Sequence, residues 1–223
     1  PYVSVGDELR DTGLNSLRIA QGVKVDFFGF GSYQGYGNFL PLISYYFSLI
    51  FHTTTLTYKI PAALVGILSV IFTFLLARII GGKKLAIISS LFLIFSIFHL
   101  HFSRTELVIT SDSLLSLLII LAAYLANFSN KGIFLFGLIF GLSLHFYAGI
   151  RGILIGCLLY VLVFNFIRLI YSKEKFASMI KKFLIFSIFF GCGFLVGAGP
   201  TLNNLNKSSL LEAGNPRLIS ADA

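Results

Sequence analysis

Residues 59–84 read KIPAALVGILSVIFTFLLARIIGGKK, an apolar run that opens on Ile60-Pro61 and is followed by a short basic connection. Proline is tolerated in the first turn of a helix, because its missing N–H would have no intrahelical partner there. Nearly uncharged runs of about 18 or more residues are typical of transmembrane helices. The stretch therefore predicts a membrane-spanning helix over residues 59–80.

The rest of the chain repeats this pattern. Apolar residues make up 57% of the sequence, charged residues 12%, and the mean hydropathy is +0.90. Soluble domains are about a quarter charged. We therefore predict an all-α, polytopic transmembrane helix bundle, with six spans in a domain over residues 59–200. After the first, the spans are expected at roughly 85–102, 112–129, 132–150, 152–171 and 183–200.

Residues 1–58 are expected to form a first extracytoplasmic loop. Leu14, Leu17 and Ala20 recur at spacings of three within residues 7–21, which indicates an amphipathic helix at the membrane interface. Glycines and aromatics alternate over residues 22–38, which predicts an irregular loop. The apolar run Phe39–His52 is shorter than a span, so it is expected to be a re-entrant or interfacial segment.

The ends of the sequence are abrupt, without an initiator methionine or a signal-peptide pattern. The chain is therefore expected to be a fragment of a longer membrane protein. A helix would precede Pro1, and residues 201–223 would begin a further extracytoplasmic loop.

The charges in the short connections predict the orientation. Lysine and arginine gather after the first, third and fifth runs, where Glu174 is the only acid, and all other acids fall on the opposite side. Cytoplasmic loops carry the excess of Lys and Arg, so these connections are predicted to be cytoplasmic. The basic residues concerned are Arg78, Lys83, Lys84, Lys131, Arg168, Lys173, Lys175, Lys181 and Lys182.

Two other classes of site are disfavoured. The net charge of +8 lies in these short connections and on no soluble module, so no nucleic-acid partner is expected. Cys157 and Cys192 lie inside apolar runs and are expected to be small buried hydrophobic residues, without a disulfide framework or a zinc site. No glycine-rich phosphate loop is present in the sequence.

The N-terminal segment Ser4-Val-Gly-Asp-Glu-Leu-Arg-Asp11 concentrates acids in a chain that has nine in all. Asp7 and Glu8 suit general-base catalysis or the coordination of a hard metal ion. The alternative is structural, since Ser4-x-x-Asp7 fits a capping box. The sequence alone leaves both open.

A second polar cluster, residues 99–113, is predicted on the same outer side. Asp112 opens a helix and is either a functional acid or a cap. Arg104 and Arg151 could each hold an anion; the alternative for Arg104 is contact with lipid headgroups. His99 and His101 stand two apart and point to different faces of a helix, which disfavours a joint metal site. The fold is expected to bring the two acidic clusters together.

The order of several motifs resembles the GT-C superfamily of membrane glycosyltransferases, in particular its protein O-mannosyltransferase and aminoarabinose-transferase-like branch. The resemblance runs from residue 5 to about residue 200. Its motifs are Asp7-Glu8, Asn38-Phe-Leu-Pro-Leu-Ile-Ser-Tyr45, Tyr58-Lys-Ile-Pro-Ala-Ala-Leu64, Arg78-Ile-Ile-Gly-Gly-Lys-Lys84, Ser103-Arg104, Ser111-Asp112-Ser113 and Gly141-Leu-Ser-Leu-His-Phe-Tyr-Ala-Gly-Ile-Arg151.

The resemblance implies a polyprenyl-phosphate-linked sugar donor and an active site on the extracytoplasmic side of the cell membrane. Asp7 or Glu8 would be the catalytic base or a metal ligand, Asp112 its partner, and Arg104 a contact of the donor phosphate. A Lys-Pro-Pro motif common in the family is replaced here by Asn38-Phe-Leu-Pro41, so Lys59 or Arg151 would take the place of its lysine. His101 and Tyr147 are the other substrate-binding candidates.

The expected reaction is inverting transfer of the sugar to a protein, lipid or glycan acceptor, with a carboxylate as base. Use of a divalent metal ion, held by Asp7 and Asp112 if it occurs, is left open. Two alternatives come from other classes. A secondary transporter would show intramembrane charges and inverted repeats, which the sequence lacks. A non-catalytic lipid-binding scaffold would have no need of acids clustered on one side.

Overall fold

A computed structural model describes Gln21 and residues 39–51, 55–105, 110–146, 150–172 and 176–205. Within these ranges the chain is all-α, as predicted, and contains no strand. Except for Gln21, the predicted helix over 7–21 and the predicted loop over 22–38 lie outside them. The loop predicted over residues 201–223 is wrong at its start, because the helix Phe176–Leu205 includes residues 201–205. The rest of that predicted loop lies outside the described residues. The helices are α1 (Phe39–Phe51), α2 (Thr55–Phe95), α3 (Ile97–Phe102), α4 (Thr110–Ala126), α5 (Asn130–Ser143), α6 (Ile150–Ser172) and α7 (Phe176–Leu205).

Helix α2 is two helical arms joined at a glycine pair. Gly81 has φ −139° and Gly82 has φ 78°, and both are non-helical. A positive φ is readily adopted by glycine and costs other residues energy, so Gly82 suits this turn. The break falls where the sequence predicts the connection between its first two spans.

The second arm of α2 ends sooner than the predicted span over 85–102. The helix stops at Phe95, because Ser96 is extended (φ −65°, ψ 121°) and its side chain accepts a hydrogen bond from the His99 backbone N–H. Ser96 therefore caps a new short helix, α3. Apolar periodicity could not reveal this break, since the residues on both sides of Ser96 are apolar.

Three helical segments are long and apolar enough to cross a membrane, judged by length and composition: Lys59–Phe95, Ile150–Arg168 and Ile180–Pro200. Large apolar side chains are exposed along them, Phe92 among the most at 76%. An apolar surface of this kind matches lipid better than water, so these segments are consistent with a membrane protein. Helices α1, α4 and α5 are shorter apolar helices. The number of six spans stays a prediction.

The chain divides into two compact units, and the division falls inside α4. The first comprises residues 1–114 and 204–223, and the second comprises residues 115–203. In the first unit, α1 packs against α2. The second has its own apolar core, contributed by α4, α5 and α6. Its fully or almost fully buried side chains include Ile119, Ala122, Ala123, Phe136, Ile150, Leu154 and Val161.

Glycines bring α5 and α7 into close contact. A β-carbon on Gly137 would meet the Phe190 carbonyl, and one on Gly193 would meet the Phe134 carbonyl. Gly141 and Gly197 make equivalent approaches, whereas Gly191 and Gly199 face open space. The contact between α5 and α7 is therefore formed by Gly137, Gly141, Gly193 and Gly197.

The two cysteines differ. Cys157 is 8% exposed and belongs to the core of the second unit, as predicted. The prediction that Cys192 is buried is wrong, because this residue is exposed. Neighbouring positions on a helix point in different directions, so Gly193 faces α5 while Cys192 does not.

Candidate functional site

Arg104 lies in a tight turn at the end of α3. The Ser103 backbone N–H donates to the His99 carbonyl at 2.9 Å, and the Arg104 N–H donates to the His101 carbonyl at 3.0 Å. The Ser103 hydroxyl also donates to the His99 carbonyl. Thr105, directly after the arginine, is buried, while the Arg104 side chain is exposed. The turn therefore fixes the backbone and leaves the guanidinium accessible.

This turn is held against the middle of the first arm of α2. Gly66 approaches Ser103 so closely that a side chain at position 66 would overlap it. The His99 side chain also lies beside the Gly66 backbone. The second arm of α2 rises about 18 Å from Lys83 to Phe95, and the first arm rises roughly 21 Å from Gly66 to Ile80. The break at Ser96 therefore falls near the level of Gly66.

The start of α4 is held against the next turn of the same helix. The hydroxyl oxygens of Ser69 and Ser113 are 3.3 Å apart, and the Ser69 hydroxyl lies 2.8 Å from the Val65 carbonyl, to which it donates. Gly66 and Ser69 are about 4.5 Å apart along the helix axis. The residues that contact them, Ser103 and Ser113, are therefore held on neighbouring turns of α2.

Two of the predicted site residues are thereby anchored in one place. Arg104 follows Ser103, and Asp112 precedes Ser113. Each is next in sequence to a serine that packs on α2 within residues 66–69. A cation and a carboxyl group are thus attached to adjoining points of one helix, which is an arrangement that can serve an anionic ligand and a proton transfer.

Asp112 lies in the first turn of α4, ahead of the apolar stretch that begins at Leu114. Its side chain is partly buried, and burial raises the pKa of this carboxyl group to about 7. Removing a carboxylate from water disfavours its charged form. A group with a pKa near neutrality can both accept and release a proton at physiological pH. Asp112 is the third residue of α4, so it is not the N-cap. The structural alternative is that a carboxylate in the first turn stabilises the helix through its dipole.

Lys59 and His101 belong to the same unit. Lys59 is partly buried and lies about 10 Å before Gly66 along α2. His101 is exposed, and its ring centroid lies 5.4 Å from that of Phe102. Arg151, near the start of α6, is exposed and belongs to the second unit. Asp7, Glu8 and Tyr147 lie outside the described residues.

No group of three or more His, Cys, Asp or Glu side chains suited to a metal ion occurs among the residues that the structure describes. Asp7 and Asp112 are the two residues proposed to hold such an ion, and only Asp112 lies within the described part of the chain. The use of a metal by this protein therefore stays an open prediction.

Sequence reasoning missed Gly66 and Ser69, which position the site. Both lie inside the apolar run 59–80, for which the sequence predicts a membrane-spanning helix and nothing more. The available signal was their spacing of three, which puts two small residues on one face of a helix. Ser69 is fully buried and Gly66 is buried.

A polar network in the second unit was also missed. Asn127 is 5% exposed, and its side-chain amide donates to the Tyr160 hydroxyl and to the Ala123 carbonyl, both at 3.2 Å. The Asn165 amide donates to the Asn127 side-chain oxygen at 3.3 Å, and Arg168 donates to the Asn127 carbonyl at 3.4 Å. The presence of Asn127 and Asn165 within apolar runs was the sequence signal for this network.

Comparison with known protein families, curated proteins and solved structures finds no match to this chain.

Proposed function

We propose that this chain belongs to a membrane glycosyltransferase of the GT-C type, which transfers a sugar from a polyprenyl-phosphate donor on the extracytoplasmic side. The observation that carries the proposal is the common anchorage of the Arg104 turn and the Asp112 turn on α2, through Gly66 and Ser69. The order of motifs given above adds support from the sequence. Three helices with the length and composition of membrane spans suit a substrate with a lipid tail.

Arg104 supplies the interaction with the donor phosphate. Its guanidinium is exposed beside a turn whose backbone is fixed by hydrogen bonds. A planar guanidinium can donate two parallel hydrogen bonds to a phosphate, and such charge-assisted bonds are stronger than neutral ones. In the transition state the phosphate gains negative charge as it leaves, so the same contact stabilises departure.

A carboxylate supplies the base. It removes the proton from the acceptor hydroxyl, whose oxygen attacks the anomeric carbon from the face opposite the phosphate. The bond between that carbon and the phosphate oxygen breaks, and polyprenyl phosphate leaves with the bonding electrons. The product carries the inverted anomeric configuration. Asp7 is the base that the family resemblance favours, with Asp112 as its partner and Glu8 as the neighbouring candidate.

The pKa of Asp112 gives it a specific part in this scheme. Because burial raises that pKa to about 7, the carboxyl group can exchange a proton at neutral pH. A general base works best when its pKa lies near the working pH. Asp112 therefore either receives the acceptor proton itself or takes it from Asp7.

The experiment measures donor binding by the full protein in detergent, with Arg104→Lys and Arg104→Ala. Both variants are expected to bind a polyprenyl-phosphate sugar about tenfold or more weakly, because lysine cannot form the two-point contact. Arg78→Ala, which removes an exposed arginine elsewhere on α2, is the matched control and should bind normally. Full affinity in Arg104→Lys would contradict the two-point contact, and full affinity in Arg104→Ala would contradict any role in donor binding.

One observation favours a second function, that of a transporter. The helix break at Ser96 interrupts an apolar segment, and transporters bind substrates at discontinuous helices. Uptake of solute into vesicles containing the protein, without any transfer of sugar, would favour this alternative.

A further inference from the structure

A pocket of about 650 Å³ lies between the C-terminal part of α6 and the N-terminal part of α7. Its walls are mainly apolar, with Leu162 and Val163 on α6 and Phe183 and Phe186 on α7. Arg168 and Lys182 also line it. The pocket belongs wholly to the second unit and contains no residue of the candidate site described above.

The two cations of this pocket lie nearer the C-terminal end of α6 and the N-terminal end of α7 than the deepest apolar residues do. Along α6, Arg168 lies about 6 Å before Ser172, the last residue of the helix, and Leu162 about 15 Å before it. Along α7, Lys182 lies about 9 Å after Phe176, the first residue of the helix, and Phe186 about 15 Å after it. Apolar residues also lie at the level of the cations, namely Phe166, Ile180 and Phe183. The apolar wall therefore extends deeper along the helices than the cations do.

The Arg168 side chain is positioned by the neighbouring polar network. One of its N–H groups donates to the Asn127 carbonyl at 3.4 Å, directly after the C-terminus of α4. Asn165, which also lines the pocket, donates to the Asn127 side-chain oxygen. A guanidinium has five N–H donors, so this contact orients Arg168 while leaving it able to bind an anion.

We propose that this pocket binds a membrane phospholipid with an anionic headgroup, its phosphate held by Arg168 and Lys182 and an acyl chain along Leu162, Val163, Phe183 and Phe186. Charge complementarity argues for the anionic headgroup, and an apolar wall that extends beyond the two cations matches the order of headgroup and chain in a bilayer. Basic pockets between membrane helices are known to bind such headgroups. The site requires no catalytic activity and is independent of the proposed function.

The test is native mass spectrometry of the full protein released from detergent, with phosphatidylglycerol or phosphatidylcholine added at equal concentration. Phosphatidylglycerol is expected to be retained preferentially. Lys182→Gln should weaken its retention about fivefold, the effect of one basic residue near an anionic lipid. Lys181→Gln is the matched control: it removes the same charge from the adjacent exposed position, which does not line the pocket.

Two further arms separate the lipid from other occupants. Val163→Trp fills the apolar end without altering charge and should also reduce phosphatidylglycerol retention. Glycerol 3-phosphate, which has the phosphate without the chains, should not be retained. Equal retention of the two lipids, equal loss in Lys181→Gln and Lys182→Gln, unchanged retention in Val163→Trp, or retention of glycerol 3-phosphate as strong as that of the lipid would each overturn the proposal.

Discussion

Gly66 lies directly against Ser103, so that a β-carbon at position 66 would overlap both the hydroxyl oxygen and the β-carbon of that serine. The contact joins the first arm of α2 to the turn that carries Arg104. Because the β-carbon of Ser103 is fixed to the backbone, the turn cannot accept a larger residue by rotating a side chain alone.

Replacing Gly66 by alanine should therefore displace the Arg104 turn. Alanine is the better helix former by up to about 1 kcal/mol, but the overlap is expected to outweigh this gain and to cost about 1–3 kcal/mol. Thermal unfolding in detergent measures the loss, and donor binding should fall with it. Gly152→Ala, on an exposed helical position with open space around it, is the control and should lose neither. Equal behaviour of the two variants would remove the role assigned to Gly66.

A second pair of glycines tests the packing of α5 against α7. Gly193→Ala would press a methyl group against the Phe134 carbonyl, whereas Gly191→Ala points into open space on the same helix. We expect Gly193→Ala to lower the free energy of unfolding by about 1–3 kcal/mol, and Gly191→Ala to leave it unchanged or to raise it slightly. The measurement is thermal unfolding of both variants in the same detergent. A stable Gly193→Ala variant would show that the two helices are not in close contact at this point.

The raised pKa of Asp112 predicts a pH-dependent stability. Its ordinary pKa is 3.8, and burial raises it to about 7 in the folded protein. Between these two pKa values the folded state holds a proton on Asp112 that the unfolded state has lost. The stability of the fold with a protonated Asp112 is therefore fully present below about pH 3.8, and it is lost as the pH rises through about 7. The Asp112→Asn variant has no titrating group at this position. It should therefore raise Tm relative to the wild type at about pH 8 and leave it equal at about pH 4.

Solvent reaches the partly exposed Asp112 side chain, so the difference in Tm is expected to be modest. The helix dipole gives the opposite prediction, since an ionised aspartate in the first turn stabilises the helix and its loss would lower Tm at about pH 8. A lower Tm for Asp112→Asn at the higher pH would show that the interaction with the helix dipole, and not burial, dominates at this residue.

The orientation can be tested with single cysteines in an otherwise cysteine-free protein. Lys83→Cys lies next to the break in α2, on the side predicted to be cytoplasmic, and His101→Cys lies in α3 near the candidate site. Both native side chains are exposed. In intact cells a membrane-impermeant thiol reagent should modify His101→Cys and should reach Lys83→Cys only after the membrane is opened. Modification of both from the same side would contradict the predicted orientation.

Much of the helical architecture could be predicted from the sequence, because long apolar runs in a chain with so few charged residues are typical of transmembrane helices. The break at Gly81–Gly82 was marked by the glycines and by the lysines after them. The break at Ser96 was not, since a single serine within an apolar run is compatible with a continuous helix. It forms a cap here because its side chain accepts the His99 backbone N–H.

The candidate site was predictable in part. Arg104 and Asp112 stand out as charges at the ends of apolar runs, and the fold anchors the turns that contain them on one helix. The anchoring residues, Gly66 and Ser69, did not stand out, because small residues in an apolar helix reveal neither which face they occupy nor what packs there. Asp7 and Glu8 stay predictions from sequence, since they lie outside the described residues.

The most direct test of the proposed function is sugar transfer by the full-length protein. The measurement follows release of polyprenyl phosphate from a polyprenyl-phosphate sugar in membranes, for the wild type, Asp7→Asn and Asp112→Asn, with Tm recorded alongside. The wild type is expected to turn over the donor. Each variant should fold and lose about 10²–10⁴ in rate, as is typical when a general base is removed. Wild-type turnover in both variants, or no turnover of any polyprenyl-phosphate sugar by the folded wild type, would contradict the proposed function.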